Sequence, residues 1–390
     1  MNRVSSPAAG DLREWTCILP RMRRSLRRRL FALLVVTPAI LVAADSVAWL
    51  IAARQVEAVF RGWIAARRSE GWQVAAGAEH LGGWPLSASV IVAGLAISGG
   101  QNLVPGGLAW RTNRLALSVD VLTPRKLLLL PEGEQRFRIA GSPEIVLAAS
   151  RIEAALPLFA GPGAGESIAI SATEPRLGPA GLDPDLVRAG TLGIEASLAA
   201  SAAGAGRAGI ETTAEAVSGA RPAVQLQMHA TSIRIAHAGL GALGREIALV
   251  SLAAVLTGPL PSGPAWAVEL GAWRDGGGTL TVRDFSLLWG PLAVGAAGRM
   301  VLDRAMQPAG EGTARILGYA ATLDALVAHG SIGPGAATAA KAVLMLLARP
   351  SATAGAPPEV DVPLRLEDRT LSVGSIPLLQ VPALTWPTDP

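Results

Sequence analysis

Several stretches of the 390-residue chain carry residue types that could do chemistry. Gly239-Leu-Gly241-Ala-Leu-Gly244 has the glycine spacing of dinucleotide-binding loops, where a helix opening behind the third glycine aims its amides at a pyrophosphate. Glu269, 25 residues further on, stands near the distance of a ribose-binding carboxylate. The chemistry needs that helix, and residues 247–256 are apolar on all sides, which suits a buried strand as well as a short helix. In a chain with 44 glycines the spacing arises by chance, so a loop is expected. The histidines, His80, His229, His237 and His329, are scattered, and none has a second ligand at zinc spacing. His229 and His237 share a strand-like stretch but would lie about 26 Å apart along one strand. Asp183 and Asp185 flank Pro184 in a loop, with too few companion carboxylates for calcium. Glu132 and Glu134 read as solvated turn residues. No Gly-x-Ser-x-Gly elbow is present, and Cys17 is the single cysteine. These residues predict no enzyme, no cofactor and no metal site.

The elements around them are set by charge and hydropathy. The chain has 34 basic residues, 32 of them Arg, against 30 acidic ones, a net charge of +4 with a pI near 10.1. Residues 1–29 hold eight Arg against Asp11 and Glu14, so this lead is +6 and residues 30–390 are −2. A nucleic-acid footprint would spread over a folded face with interleaved aromatics. A short Arg cluster abutting an apolar run instead follows the positive-inside rule, so no nucleic-acid partner is expected. The run, residues 30–53, would span about 36 Å as a helix, enough to cross a bilayer core of about 30 Å. Asp45 falls near its far end, Pro38 would kink it, and Trp49 suits the exit-side aromatic belt. A cleaved signal peptide, cut before Asp45, is the competing reading. Against it, Trp49, Ala53, Val56, Phe60 and Trp63 continue one helical face, with Arg54, Glu57 and Arg61 on others. The expected order is a basic cytoplasmic lead (1–29), a signal-anchor helix (30–53), an amphipathic helix (54–70) and an exported body (71–390).

Within the body the period changes to alternation. Leu86, Ala88, Val90 and Val92 share a strand face, as do Leu115, Leu117, Val119 and Val121. Val224, Leu226 and Met228, then Ile233 and Ile235, continue the pattern, as do Trp266, Val268 and Leu270 and residues 279–287. Short strands separated by Gly, Pro, Asn and Asp predict antiparallel hairpins. Residues 160–220, rich in Gly, Ala, Ser and Pro, are expected as irregular edge strands and loops. Two late helices, about 313–329 and 336–348, form a helical unit (313–348), followed by a hairpin around Glu367, Asp368 and Arg369. The fold class is mainly β (α+β): a transmembrane helix, then large antiparallel curved sheets with two late helices.

The most specific local signals are turns. Trp84 stands in Gly83-Trp-Pro85 before a strand. Trp273-Arg274-Asp275-Gly276-Gly277 reads as a hairpin turn between two alternating runs, and Trp289-Gly290-Pro291 turns the next pair. With the Arg-rich anchor, Ala66-Arg67-Arg68 before Gly71-Trp72, residues 256–261 (LTGPLP), Gln307-Pro308 and residues 362–365 (VPLR), these motifs resemble, from about residue 21 to the end, the uncharacterised alphaproteobacterial family DUF2125. That resemblance implies membrane anchoring and an envelope location, and it carries over no activity and no functional residue. The hairpins are also similar to those of AsmA-type envelope proteins, whose sheets curl into an apolar groove. The expected protein is therefore non-enzymatic, single-pass in the bacterial inner membrane, with a periplasmic body. It would bind lipid or another apolar ligand in a β-groove, or serve as an assembly partner of another envelope protein.

Overall fold

The computed structural model describes residues 24–100, 103, 107–122, 124–139, 142–158, 167–181, 185–198, 222–236, 238–258, 266–350, 358–374 and 376–384. Helix α1 (Arg24–Ser69) runs 46 residues without a break, with Pro38 inside it. Two compact units divide within it, Met1–Ala48 and Trp49–Pro390. In the first, Leu34, Ile40, Leu41 and Val47 are exposed, as a lipid-facing helix requires. The stretch is long and apolar enough to cross a membrane.

The second unit is built on one antiparallel sheet of 19 strands among the described residues. Strands β1 (Gln73–Ala76) and β2 (Glu79–Gly82) lie along the same side of β3 (Ser87–Gly99). Strands β4 (Leu108–Asp120) and β5 (Lys126–Ile139) follow as a meander. The next three ladders are each split into two short strands. Strands β6 (Ile145–Ala148) and β7 (Arg151–Pro157) both pair with β5; β8 (Ser167–Thr173) pairs with β7, and β9 (Arg176–Pro179) with β6. Strands β10 (Val187–Arg188) and β11 (Thr191–Leu198) then hand the sheet to β12 (Pro222–Ile235). Strands β13 (Glu246–Thr257), β14 (Thr279–Trp289), β15 (Leu292–Leu302), β16 (Pro308–Leu317), β17 (Glu359–Glu367), β18 (Thr370–Val373) and β19 (Ile376–Gln380) add on one after another.

Directly opposed residues in adjacent strands share a face, so the register reads out the two surfaces. One row of partners runs Leu81, Val90, Leu117 and Leu129, then Ala154, Ile170 and Ile194. It continues through Met228, Leu252 and Phe285 to Ala296, Ala314 and Val362. Every member is apolar. The neighbouring row on the opposite face passes through Glu153, Ser171, Gly193, His229, Ser251 and Ser286 to Gly295, Arg315 and Asp361. From β7 to β17 the sheet is thus amphipathic, whereas over β3 to β5 the second face also carries Ile91, Ala116, Leu128 and Leu130.

Two clusters bury parts of the apolar face. In the first, Val56, Phe60 and Ile64 of α1 pack on Val90, Val92, Leu115 and Leu117. In the second, helices α3 (Tyr319–Ala328) and α4 (Pro334–Leu347) bring Tyr319, Ala320 and Leu344 onto Val294, Ala314, Val360 and Val362.

Four expectations change. Residues 266–270 are not a strand: helix α2 (Trp266–Asp275) occupies them. Three alternating apolar residues also fit a helical turn, and Leu270 and Trp273 lie one turn apart on it. The first late helix starts at Tyr319, not near 313, because residues 313–317 are paired on both sides in β16. Gly318, with φ 71, separates strand from helix. Within 160–220, the described strands β8 to β11 are interior to the sheet rather than edges. Glu132 and Glu134 stand inside β5, beside a register shift opposite residues 112–114, and form exposed ion pairs with Arg114 and Arg136. The helix at 336–348, the Trp289–Leu292 hairpin and the 367–369 hairpin stand as read. In the last, Asp368 and Arg369 both take positive φ, 48 and 62, as a two-residue primed turn needs.

Candidate functional site

A cavity of about 530 Å³ lies between the second half of α1 and strands β3, β4, β5 and β7. Its helical wall is built at the end of the apolar run and just beyond it, from Ala52, Val56, Val59, Phe60 and Trp63. Leucines of the sheet line the opposite wall, among them Leu117, Leu129 and Leu156. Among the described residues, Gln55 is the single hydrogen-bonding side chain lining it apart from the two indoles. The arrangement follows from two periods meeting: positions three and four apart on the helix face alternate positions on the strands. Phe60 is buried and stacks on Trp63 at 6.3 Å between ring centroids, whereas Val59 stays 49% exposed at the cavity's rim.

Polar groups hold this wall from outside the cavity. The Trp49 indole Nε1 donates to the Ser87 carbonyl at 2.9 Å. Glu57, nearly buried, accepts from Arg54 at 3.1 Å and Arg61 at 2.6 Å, and Arg61 also reaches Glu79 of β2 at 2.9 Å. Trp110 lines the cavity, stacks on Phe137 at 6.3 Å, and donates its Nε1 proton to Oε1 of fully buried Gln135 at 3.2 Å. Gln135 in turn donates to the Gly133 carbonyl at 3.2 Å. The indole's polar atom is thereby satisfied within the sheet. Such a site can desolvate an aliphatic chain.

The sequence motifs lie elsewhere. Trp84 is exposed in the β2–β3 turn. Trp273 is buried near the end of α2, where its Nε1 donates to the Thr257 carbonyl at 2.8 Å. Arg274 and Asp275 pair with each other at 2.8 Å. Gly276 and Gly277 close the helix rather than a hairpin: their amides donate to the Ala272 and Arg274 carbonyls, and Gly277 takes φ 75. Trp289 donates to the Gly244 carbonyl at 2.9 Å, and Gly290, with φ 54, turns into exposed Pro291. A Cβ at Gly290 would come within 2.2 Å of the Leu243 carbonyl oxygen. The Trp273 and Trp289 groups sit at opposite ends of β14, about 34 Å apart by strand rise, so they form no common site. The 239–244 glycine pattern lies on a 3₁₀ turn (Ala238–Leu243) that leads into β13, a strand, so no helix opens behind Gly244. His80 and His229 lie in β2 and β12, His329 caps α3, and His237 and Asp183 lie outside the described residues. Asp185 pairs with Arg188. The sequence suggested an apolar groove in the sheet without its residues; the helical stripe supplies Val56, Phe60 and Trp63 to the cavity, and Val59 joins them from beside the stripe.

The Asp275 carboxyl is held below its ordinary 3.8 chiefly by the hydrogen bond from Arg274, and the guanidinium is raised in turn. A depressed carboxylate adds stability that is present above the unfolded value and lost as pH falls through the folded one. Asp275→Asn is therefore expected to lower stability slightly at pH 7, where the pair contributes, to leave it unchanged at the acid end where the carboxyl is protonated, and so to flatten the acid limb below about pH 4. An unaltered acid limb would show that the pair does not act on folding.

Fold and cavity together define a class: an antiparallel β-sheet protein with an apolar internal site, preceded by one helix able to cross a membrane. Residues 49–382 match the family described as "Uncharacterized protein conserved in bacteria (DUF2125)", and the chain belongs to that family. The match begins at Trp49, where the second compact unit also begins. No curated protein and no solved structure matches the chain.

Proposed function

We propose that this protein is a non-catalytic lipid-binding protein of the bacterial inner membrane, anchored by α1, with its body in the periplasm and an acyl chain held in the cavity beside Phe60 and Trp63. The carrying observation is the cavity's lining, apolar on both helix and sheet walls with Gln55 as the exception. Burial of a chain there gains about 0.8 kcal/mol per methylene, so about ten buried methylenes match the roughly 8 kcal/mol of micromolar binding before the cost of association is met. The +6 lead before the apolar run supports the orientation, because Arg-rich flanks stay cytoplasmic.

Mass spectrometry of the purified full-length chain is expected to find co-purified phospholipid or fatty acid. Val59→Glu puts a carboxylate at the cavity rim from a half-exposed position, where the cost to folding is small. It is expected to reduce bound lipid at least tenfold. A wild-type protein free of lipid in mild detergent, or a Val59→Glu variant that retains it, would overturn this reading.

The assembly-partner reading draws on α4, which exposes Val343, Met345 and Leu346, the last at 87%. Leu346→Lys would then abolish a reproducible in-cell crosslink to one envelope protein. Without such a crosslink in the wild type, that reading falls.

A further inference from the structure

The apolar row that floors the cavity continues far past its edge. Twelve strand spacings separate Leu81 from Val362, about 58 Å at 4.8 Å each. One acyl chain is about half of a 30 Å hydrocarbon core, or about 15 Å, roughly three spacings. The cavity beside α1 already uses that length, from β3 across β4 and β5 to β7.

Four more spacings along the same row, about 19 Å from β7, lies β13. Here the same face hollows again, into a second cavity of about 220 Å³ lined chiefly by Leu252, Phe285, Met300, Leu364, Leu366 and Leu371, with Arg299 and Glu311 also on its wall. Missing side chains help to make this hollow. Gly298 and Gly312 are direct partners on the apolar face, in register with Val282 and Leu364. A Cβ on either would come within 3.0 Å of the facing backbone, so the strands approach too closely here for any side chain. Between the two cavities the face stays partly open: Ile168 and Ile170 of β8 are 43% and 41% exposed.

We propose that the apolar face is one extended acyl-chain site with a second seat over β13 to β18, so that the protein holds two lipid chains at once. This rests on the lipid reading of the first cavity. Continuity of the row argues for the same occupant, because nothing polar on that row separates the two hollows. The distance argues for a separate chain, because one chain seated beside α1 ends before β13.

The test uses the full-length protein in mild detergent with a long-chain fatty acid bearing a terminal diazirine. After irradiation, peptide mapping is expected to find label in residues 115–129 and, separately, in residues 280–302 or 364–371. Native mass spectrometry is expected to find two bound chains. Val59→Glu should cut the first label at least tenfold and leave the second within twofold. Ala296→Trp, which fills the second hollow from its floor, should do the reverse. Label confined to the first region, with one chain bound, would overturn the second seat and leave the lipid reading standing. Label in neither region would remove both.

Discussion

Val90→Asp is expected to unfold the sheet unit at room temperature or bring it close to unfolding. Val90 is fully buried under Val56 and Phe60, in the middle of the first cluster. The substitution forfeits about 1.5–3 kcal/mol of apolar burial. It also leaves a carboxyl with no hydrogen-bond partner, at about 1–3 kcal/mol more. The sum is a large share of the 5–15 kcal/mol that holds an ordinary domain together. The same change at Ile170, on the same row but 41% exposed, should cost far less because water still reaches it. Circular dichroism melts of the detergent-solubilised chain compare the two. Equal melting temperatures would mean that the row is not differentially covered, and the packing of α1 on β3 would be wrong.

The second large effect concerns the tryptophan of α2. Trp273→Ala should cost about 3–5 kcal/mol, the usual range for emptying a buried aromatic site, since this ring is only 6% exposed and hydrogen-bonds the Thr257 carbonyl. Two glycines are shaped to the ring: a Cβ at Gly278 would meet it at 2.2 Å, and one at Gly258 at 2.9 Å. Gly278→Ala alone is therefore expected to destabilise by about 1–3 kcal/mol through overpacking. In the Trp273→Ala background it should cost much less, because the clash has been removed. A double-mutant cycle on thermal or denaturant unfolding measures that coupling. Additive effects would show that ring and glycines do not touch.

Most of the architecture was legible before any coordinates. Alternation at Val90, Leu117 and Leu226 states which side of each strand is apolar, and a strand has only two sides. The Trp289-Gly290-Pro291 turn was legible because one glycine with positive φ is enough to reverse the chain. The Asp275-Gly276-Gly277 segment was misread for the same local reason. Glycines after a polar residue close a helix as readily as they turn a hairpin, and three alternating apolar residues before them do not decide the period. Residues 313–317 went to the wrong element because β16 borrows its stability from β15 and β17 on either side. The turn motifs were conspicuous in sequence and lie away from the cavity, whereas the cavity's residues are ordinary Leu, Val and Ala.

The basic lead, the apolar run behind it and the amphipathic strands were set by the sequence alone, since each depends on residues within a few positions of one another. Three things were decided only by the tertiary structure. It placed α1 over β3 to β7 and left the face over β8 partly open. It joined the apolar sides of separate strands into one row. It also hollowed that row opposite Phe60 and again at Gly298 and Gly312. The physical reason is that a side chain's burial depends on what the rest of the chain brings against it. Ile170 and Val90 lie on one apolar row, yet Val90 is buried beneath a helix and Ile170 stays 41% exposed.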